Sequence, residues 1–336
     1  MPDPERGDAP SANQSEAVDL LARVAAAVRS ARVVCPHNDA DGLAAAAIAL
    51  RVRGETADDA LLLPRGQNPF GPDFRPPAGE GPVAILDQGV RDVSYPAVFV
   101  DHHAPDVPPE LFQSATRVVL SGFGEKAVST AILMARLFPE PEFAWIAAVG
   151  AAGDYGDDGL KRPECAGVVK SHVKKLVPLI NAPRRIPGEE AVRVALALLV
   201  EHDSPKAALA DARIEKLEAA RTRWRAAYDV AVRSAPRVAN HVALIRFRSD
   251  CQVHPLVAQA WMTRLAPKAV IAANDDYVPG FTNFAARGGG PGTDLRNLLK
   301  TALPDAKGEF ANGHPQATGG SLPTAEFERL ATALGF

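Results

Sequence analysis

The residues best suited to chemistry lie in the segment PHNDADG at positions 36–42, directly after an apolar run. His37, Asp39 and Asp41 alternate in this segment, and side chains two positions apart on an extended chain point to the same side. Two carboxylates in one place repel each other unless a cation lies between them. The spacing therefore predicts a metal site. The alternative is a turn in which Asp41 or its neighbour caps the helix predicted over residues 43–50.

Further acidic and imidazole side chains also follow apolar runs. Asp87 ends VAILD, Asp101-His102-His103 ends AVFVDHH, and Asp154 ends WIAAVGAAGD. A single aspartate in such a place usually caps a helix or lies in a loop. Because the carboxyl ends of parallel strands meet at one edge of a sheet, we expect these side chains to converge. Oxygen and imidazole ligands without thiolate favour Mn²⁺, and Mg²⁺ less so, over structural zinc.

The elements that position these side chains are short apolar runs that alternate with Ala- and Leu-rich stretches. This alternation is typical of βαβ units, so we predict a parallel-sheet α/β domain over residues 17–200. Strand signals stop over residues 201–239, where helical spacing of apolar residues predicts a helical linker. Shorter alternation over residues 240–336 predicts a smaller α/β domain. Residues 1–16 are polar and Pro-rich, and we predict a disordered tail there.

Composition limits the partners and the compartment. The 336 residues are 47% hydrophobic and 23% charged, which is typical of a soluble globular protein and sufficient for two domains. A net charge of −3 does not suit a protein that coats long duplex nucleic acid. The three cysteines show no CxxC spacing, which argues against a zinc ribbon or a disulfide framework. Without a signal-peptide pattern or an apolar run of ~18 residues, we predict a cytoplasmic protein with no membrane partner.

Taken in order, these motifs resemble those of the DHH phosphoesterase superfamily. The matching residues are His37, Asp39, Asp41 and Gly42, then Asp87, then Asp101, His102 and His103, and finally Asp154. The closing segment GHPQATGG at 313–320 is similar to the glycine–histidine signature of the accessory DHHA1 domain, so the resemblance covers residues 17–336. The sequence departs from the pattern at two places: Ala311-Asn312-Gly313 replaces the usual triple glycine, and Thr318 stands where alanine is common.

The resemblance implies hydrolysis of phosphodiester bonds by two divalent metal ions, Mn²⁺ or alternatively Mg²⁺. Such a pair can hold the attacking and the leaving oxygens of an in-line displacement. His103 would lie beside the scissile phosphate as a donor, and Asp101 would support the imidazoles without binding metal. The expected ligands are His37 and Asp39 for one ion, Asp41, His102 and Asp154 for the other, and Asp87 as a bridge between them.

The second domain is expected to bind the substrate. Similar proteins often carry an arginine that binds phosphate in the strand that contains Arg287. His314 and its flanking glycines, Gly313 and Gly319, would let the backbone approach a nucleotide end closely.

Two neighbouring polar segments have alternative readings. The N–H groups of the glycine-rich segment 288–292 could bind phosphate at the start of the helix DLRNLLKTAL, with Thr293 as its cap. The alternative is a flexible loop before an ordinary helix. Asn274-Asp275-Asp276 is predicted to form a turn.

The substrate class stays open between two kinds of enzyme. The first is an exonuclease or oligonucleotidase that acts on short single-stranded RNA or DNA, as the HxDxDG spacing of RecJ-like members indicates. The second is a phosphatase or phosphodiesterase for phosphoadenosine phosphate or cyclic dinucleotides, because the short chain is similar to nano-RNases. An aromatic content of 6% leaves few platforms for stacking bases, which favours short substrates. A non-catalytic binding protein is disfavoured because a competent residue fills every expected ligand position.

Overall fold

The structure is a computed structural model that describes residues 12–290, 292–306 and 310–336. It contains two compact units. The first comprises residues 12–63, Gln67–Asn181 and Glu189–Ile214, and the second comprises Pro64–Gly66, Ala182–Gly188 and Glu215–Phe336. Each unit is built around its own sheet. Among the helices of the described ranges, none is long and apolar enough to cross a membrane.

The first unit contains a parallel sheet, as predicted. Its strands follow one another in the order β1-β2-β3-β4. The register pairs Pro36 with Leu86 and Leu86 with Val100, so the carboxyl ends of three strands lie at the same level. The strands are β1 (Val33–Pro36), β2 (Val83–Leu86), β3 (Ala97–Asp101) and β4 (Arg117–Ser121).

The helices of the first unit do not alternate with the strands as a βαβ pattern requires. Only the connection from β1 to β2 contains an α-helix in the described residues, whereas β2–β3 and β3–β4 are joined by loops and one short 3₁₀ turn at Pro109–Leu111. The segments VSYP and APDVPP carry prolines that break helices, which explains the failed prediction. The helices are α1 (Ala12–Arg29), α2 (Ala40–Arg53), α3 (Thr130–Leu137), α4 (Ala144–Tyr155), α5 (Lys170–Ile180), α6 (Glu190–Glu201) and α7 (Pro205–Ala210).

Loops and helices cover opposite faces of this sheet. Cys35, Ile85 and Phe99 point to one side, where loop residues such as Phe70 and Tyr95 pack against them. On the helical side, α2 contacts β1 and β2 as well as α3, α4 and α6. Every residue of α2 from its start to Leu50 is buried, because a helix that is apolar all round must lie inside the unit.

The second unit has a mixed sheet with the order β5-β6-β7-β8-β10-β9. Only β6 and β7 are parallel. One face packs against α8 and α9 and the other against α10 and α11. The elements are α8 (Ile214–Ala231), β5 (Arg237–Ala239), β6 (Val242–Phe247), α9 (His254–Arg264), β7 (Ala269–Val278), β8 (Phe281–Gly288), α10 (Leu295–Ala302), β9 (Phe310–His314), β10 (Ala317–Pro323) and α11 (Thr324–Ala333).

Two predicted boundaries differ from the structure. Helix α1 begins at Ala12, inside the segment predicted to be disordered, whereas residues 1–11 lie outside the described residues. The predicted linker ends in a strand, since Arg237–Ala239 pairs with β6. These elements overlap the ends of the predicted segments by a few residues, and the domain limits themselves remain predictions.

Two local predictions in the second unit are also wrong. Asn274, Asp275 and Asp276 lie within β7, where Arg246 of the neighbouring strand donates to Asp275 at 2.7 Å. This cross-strand ion pair compensates for the low strand propensity of aspartate. The cap of α10 is Asp294, whose carboxylate accepts from two backbone N–H groups of the first turn, so the predicted cap was placed one position early.

Candidate metal centre

The segment that begins the site is a strand, a short loop and a helix start. Strand β1 ends at Pro36, and Asp39 is the N-cap of α2, with Oδ1 accepting from Gly42 N at 3.1 Å. Asp41 lies in the first helical turn, so the extended-chain geometry of the prediction does not apply to it. The helix is capped by Asp39, two positions before Asp41, and Nδ1 of His37 lies 2.9 Å from Oδ2 of Asp39. The predicted convergence therefore brings His37 and Asp39 together, whereas Asp41 belongs to a separate group of possible ligands. A Cβ at Gly42 would lie 2.3 Å from the carbonyl oxygen of His37, so only glycine fits there.

The ends of β2 and β3 supply the next side chains. Asp87 follows β2 with a left-handed backbone, φ 64°, which is rare for a residue other than glycine. Asp101 is the last residue of β3, and His102 and His103 follow it. Because the two strands end at the same level, these residues lie at one edge of the sheet, as predicted.

Asp154 reaches the site from a helix, whereas the sequence pattern groups its apolar run with the runs that end as strands. The run belongs to α4, and its Ala-rich, unbroken length favours a buried helix over a strand. Gly150 lets α4 approach closely, since a Cβ there would lie 2.4 Å from Oδ1 of Asp41.

Most of the converging side chains form two groups that share the carboxylate of Asp87, and a third group joins His103 to Asp87 and His102. In the first group, Nδ1 of His37 lies 2.9 Å from Oδ2 of Asp39 and 3.6 Å from Oδ2 of Asp87. In the second, Nε2 of His102 lies 3.8 Å from Asp41, 3.3 Å from Oδ1 of Asp87 and 3.1 Å from Asp154. Within each group, one ligand atom from every residue lies within 4.8 Å of the others. Asp87 faces the two groups with different oxygens.

The N-terminus of α3 holds the two most buried of these carboxylates. Thr130 N and Ala131 N donate to the two oxygens of Asp41 at 2.7 and 2.9 Å. The hydroxyl of Thr130 donates to Oδ1 of Asp87 at 2.9 Å. The positive end of the α3 dipole therefore faces the carboxylates, which offsets part of the cost of burying them.

His102 is suited to bind a cation. Its Nδ1 lies 2.8 Å from the hydroxyl of Tyr155, which leaves Nε2 toward the three carboxylates. Across the described ranges, this buried Nε2 has no partner with hydrogen-bond geometry. A buried ligand atom without a hydrogen bond, beside three carboxylates, fits a divalent metal ion.

The protonation equilibria of the site reflect its excess of negative charge. Burial, with added repulsion from Asp87 and Asp154, raises the pKa of Asp41 well above its usual range. The pKa of Asp154 is raised mainly by burial as well. Burial would lower the pKa of His102, but the close carboxylates of Asp154 and Asp87 raise it to about 12. The site therefore favours positive charge at Nε2, which a proton or a metal ion can supply.

His103 and Asp101 form a separate pair beside the two groups. Nδ1 of His103 lies 3.0 Å from Oδ1 of Asp101, which also accepts from the His103 backbone at 2.7 Å. The second oxygen of Asp101 accepts from Gly89 N at 2.6 Å. Both oxygens of Asp101 therefore accept hydrogen bonds from the protein. The His103 side chain is 53% exposed, and its hydrogen bond to Asp101 raises its pKa.

The predicted substrate-binding residues of the second unit lie on adjacent strands. Arg287 of β8 pairs with Ala317 of β10, which pairs with His314 of β9, so Arg287 and His314 share one face of the sheet. Gly319 lies on that face also, and a Cβ there would lie 2.5 Å from the carbonyl oxygen of Phe284. Gly313 has a φ of 103°, which favours glycine.

Arg287 itself is half-buried. Its Nη1 donates to the carbonyl oxygens of Ala286 and Thr318 at 2.9 and 3.1 Å. Burial lowers the pKa of this guanidinium, and no carboxylate of the described residues offsets that effect.

Sequence reasoning missed Thr130 and Tyr155. Thr130 follows Ser129 at a helix start, where hydroxyl residues usually serve as caps, so no local signal indicates its contact with Asp87. The adjacency of Tyr155 to Asp154 was the only available signal for its role beside His102.

Comparisons with known proteins establish the fold. No protein-family model and no curated protein matches the chain. It is similar to the crystal structure of RecJ from Thermus thermophilus in complex with Mn²⁺, with a TM-score of 0.60 and 18% identity over 95% of this chain and 54% of that one. The chain therefore spans about half the length of that RecJ.

Two further structures have similar lengths to this chain. One is the DHH domain of a member of a family of ribosomal proteins, with a TM-score of 0.58 and 15% identity over 95% of this chain and 89% of that one. The other is a pGpG-specific phosphodiesterase from Vibrio cholerae, with a TM-score of 0.50 and 14% identity over 90% of this chain and 97% of that one. The chain has the DHH/DHHA1 phosphoesterase fold.

Proposed function

We propose that the chain hydrolyses phosphodiester bonds with two divalent metal ions, Mn²⁺ in preference to Mg²⁺. The observation that carries this proposal is the position of Asp87 between the two ligand groups. Its Oδ2 lies 3.6 Å from Nδ1 of His37, and its Oδ1 lies 3.3 Å from Nε2 of His102. A carboxylate that offers one oxygen to each group can bridge two ions ~3.5–4 Å apart.

Each of the other proposed ligands is assigned to one ion according to the group of side chains in which it lies. His37 and Asp39 would hold one ion, and Asp41, His102 and Asp154 would hold the other. When bound, the ions would supply an activated water and neutralise charge on the phosphate. Tyr155 would keep His102 in the orientation that presents Nε2.

His103 is the proposed donor to the substrate. Its side chain is half-exposed, and its ring forms a further group of possible ligands with Asp87 and His102, in which Nδ1 lies 3.8 Å from Oδ1 of Asp87. Asp101 orients the ring and raises its pKa, which favours the protonated imidazole. A protonated His103 can donate to a phosphate oxygen and stabilise negative charge that develops in the transition state. Asp101 acts through His103 and not as a ligand.

Arg287, Gly313, His314 and Gly319 are the proposed binding residues for a phosphate or nucleotide end. A half-buried guanidinium that bonds only to carbonyl oxygens has unused donors for a phosphate group. The small residues beside it allow a ligand to approach the backbone.

The proposed substrate is short single-stranded RNA or DNA, cleaved from an end. The alternative is a small nucleotide such as phosphoadenosine phosphate or a cyclic dinucleotide. The similarity to RecJ supports the first, and the similarity to a pGpG-specific phosphodiesterase supports dinucleotides as substrates.

Product analysis tests the proposal and separates these substrates. Full-length protein is incubated with Mn²⁺ and 5′-labelled RNA or DNA of two to twenty nucleotides, with cyclic dinucleotides, and with phosphoadenosine phosphate. We expect stepwise release of mononucleotides from the labelled oligomers, abolished by EDTA and by the near-isosteric Asp87→Asn variant. Hydrolysis of the small nucleotides alone would select the alternative. Failure to hydrolyse any of them, or full activity in EDTA, would contradict the proposed function.

A further inference from the structure

A buried hydroxyl lies against the carboxylate that the two proposed metal ions would share. The geometry points to Thr130 as the positioning residue that fixes the rotation of the Asp87 carboxylate and thereby the separation of the two ions. This inference rests on the proposed two-metal function and deepens it. It assigns a role to the start of α3, which none of the sequence motifs contains.

The contact between the two side chains is short and shielded from water. Oγ1 of Thr130 donates to Oδ1 of Asp87 at 2.9 Å. Thr130 is 0% exposed and Asp87 is 2% exposed, so water cannot replace the hydroxyl without a rearrangement. A hydrogen bond to a charged, buried acceptor is among the stronger kinds in proteins.

The rotation of this carboxylate is not set by its own rotamer preference. The torsion that turns an aspartate carboxylate is broad, so the surroundings must decide where each oxygen points. One oxygen of Asp87 faces His102 at 3.3 Å and the other faces His37 at 3.6 Å. Rotation of the carboxylate would take both oxygens out of line with their imidazoles. The donor from Thr130 reaches only Oδ1 and so holds one orientation.

The same helix turn fixes the neighbouring carboxylate. The backbone N–H of Thr130 donates to Oδ2 of Asp41 at 2.7 Å, and Ala131 N donates to Oδ1 at 2.9 Å. One residue therefore contacts Asp41 with its backbone and Asp87 with its side chain. These two aspartates belong to the same proposed ion site, and Asp87 also reaches the other. Thr130 thus fixes the position of one proposed ion site relative to the other.

The preceding residue provides a matched control. Ser129 is a hydroxyl residue of the same helix start and is also 0% exposed. Its Oγ accepts from Ile132 N at 3.4 Å as the cap of α3, and it makes no side-chain contact with the carboxylates of the described residues. Removal of either hydroxyl perturbs the same turn, but only removal of the Thr130 hydroxyl takes a hydrogen-bond donor from Asp87.

The experiment compares three variants of the full chain with the parent protein. Thr130→Val removes the hydroxyl and keeps the branched shape, Thr130→Ser keeps the hydroxyl, and Ser129→Ala removes the cap. Mn²⁺ binding is followed by calorimetry and by electron paramagnetic resonance, which detects coupling between neighbouring ions. Thermal melts report folding, and bis(p-nitrophenyl) phosphate reports kcat and KM.

We expect Thr130→Val to bind the weaker of two Mn²⁺ ions about 10- to 100-fold less tightly, the range for partners that orient metal ligands. Coupling between the ions and kcat should fall together, while KM changes little. Thr130→Ser should restore all three. Ser129→Ala should lower the melting temperature and leave Mn²⁺ binding unchanged.

Three outcomes would count against these expectations in different ways. Parental Mn²⁺ binding in Thr130→Val would overturn the role of Thr130. Equal loss of Mn²⁺ binding in Ser129→Ala would also overturn it, because a general effect of the helix turn would then explain both. If the parent protein binds fewer than two ions, the proposed function fails, and the inference fails with it.

Discussion

Gly150 offers a test in which two physical effects oppose each other. Replacement of a glycine by alanine inside a helix normally stabilises it by about 1 kcal/mol. Gly150 lies within α4, so helix propensity alone predicts that Gly150→Ala is stabilising. The structure predicts the opposite, because α4 packs against α2 and α3 at this position.

The size of the steric conflict follows from the neighbouring atoms. A Cβ at position 150 would lie 2.4 Å from Oδ1 of Asp41 and 2.5 Å from Cβ of Ala131. Both distances are about 1 Å shorter than ordinary van der Waals contact, which begins near 3.4 Å. Overpacking of this kind typically costs about 1–3 kcal/mol. The net change should be a loss of about 0–2 kcal/mol, which lowers the melting temperature by roughly 2–4 °C per kcal/mol in a unit of this size.

The same substitution should affect metal binding more than stability. Asp41 is held by two backbone N–H groups, so a methyl group that displaces it moves a proposed ligand out of its position. We expect a loss of Mn²⁺ affinity of about 10- to 100-fold. Calorimetric titration and thermal melts of the same preparation measure both effects. Gly71→Ala is the control, because its nearest neighbour, Asn68 O, lies at 3.6 Å.

A Gly150→Ala protein that is more stable than the parent and keeps the parental Mn²⁺ affinity would contradict both parts of this prediction. It would show that α4 does not approach Asp41 as closely as described. A loss of stability without any loss of Mn²⁺ affinity would show that Asp41 does not bind the metal ion.

The remaining predictions concern the substrate, the pH and the orientation of one ligand. Arg287→Ala should weaken oligonucleotide binding by about 1.5–3 kcal/mol, or roughly 10- to 150-fold in KM. Hydrolysis of bis(p-nitrophenyl) phosphate should stay near the parental rate. An equal loss of activity toward both substrates would show that Arg287 supports the fold. Mn²⁺ affinity should rise with pH, because the raised pKa values of His102 and Asp41 make protons compete with the ion. Calorimetry in buffers of different ionisation enthalpy should accordingly detect proton release, and an affinity independent of pH would contradict the assignment. Tyr155→Phe should lower Mn²⁺ affinity about 10- to 100-fold without unfolding the protein, whereas unchanged affinity would show that another contact orients His102.

Local chemistry explains how much of the site could be predicted from the sequence. The apolar runs that end at Asp87 and Asp101 form adjacent parallel strands, and the side chains that follow them do meet at one edge. Residue type and strand order were sufficient to predict this meeting of side chains, because the strands of a parallel sheet have their carboxyl ends at the same edge. The ligand roles of these residues and the domain limits remain predictions.

The parts that could not be predicted depend on contacts between distant segments. Thr130 and Asp87 are 43 positions apart, and the hydrogen bond between them exists only after α3 has packed beside the sheet. The approach of Asp154 to the strand ends likewise depends on the packing of α4, although the length of its apolar run already indicates a helix. The left-handed backbone of Asp87 could not be predicted from the residue type alone, because aspartate adopts it more often than most residues but only where its surroundings require it.

The most direct test of the proposed two-metal centre is anomalous diffraction at the manganese edge from crystals grown or soaked with MnCl₂. If Asp87 bridges two ions, the map should show two peaks about 3.5–4 Å apart on either side of its carboxylate. One should lie against His37 and Asp39, and the other against His102 and Asp154. A single peak, or a pair of peaks that Asp87 does not bridge, would contradict the proposal.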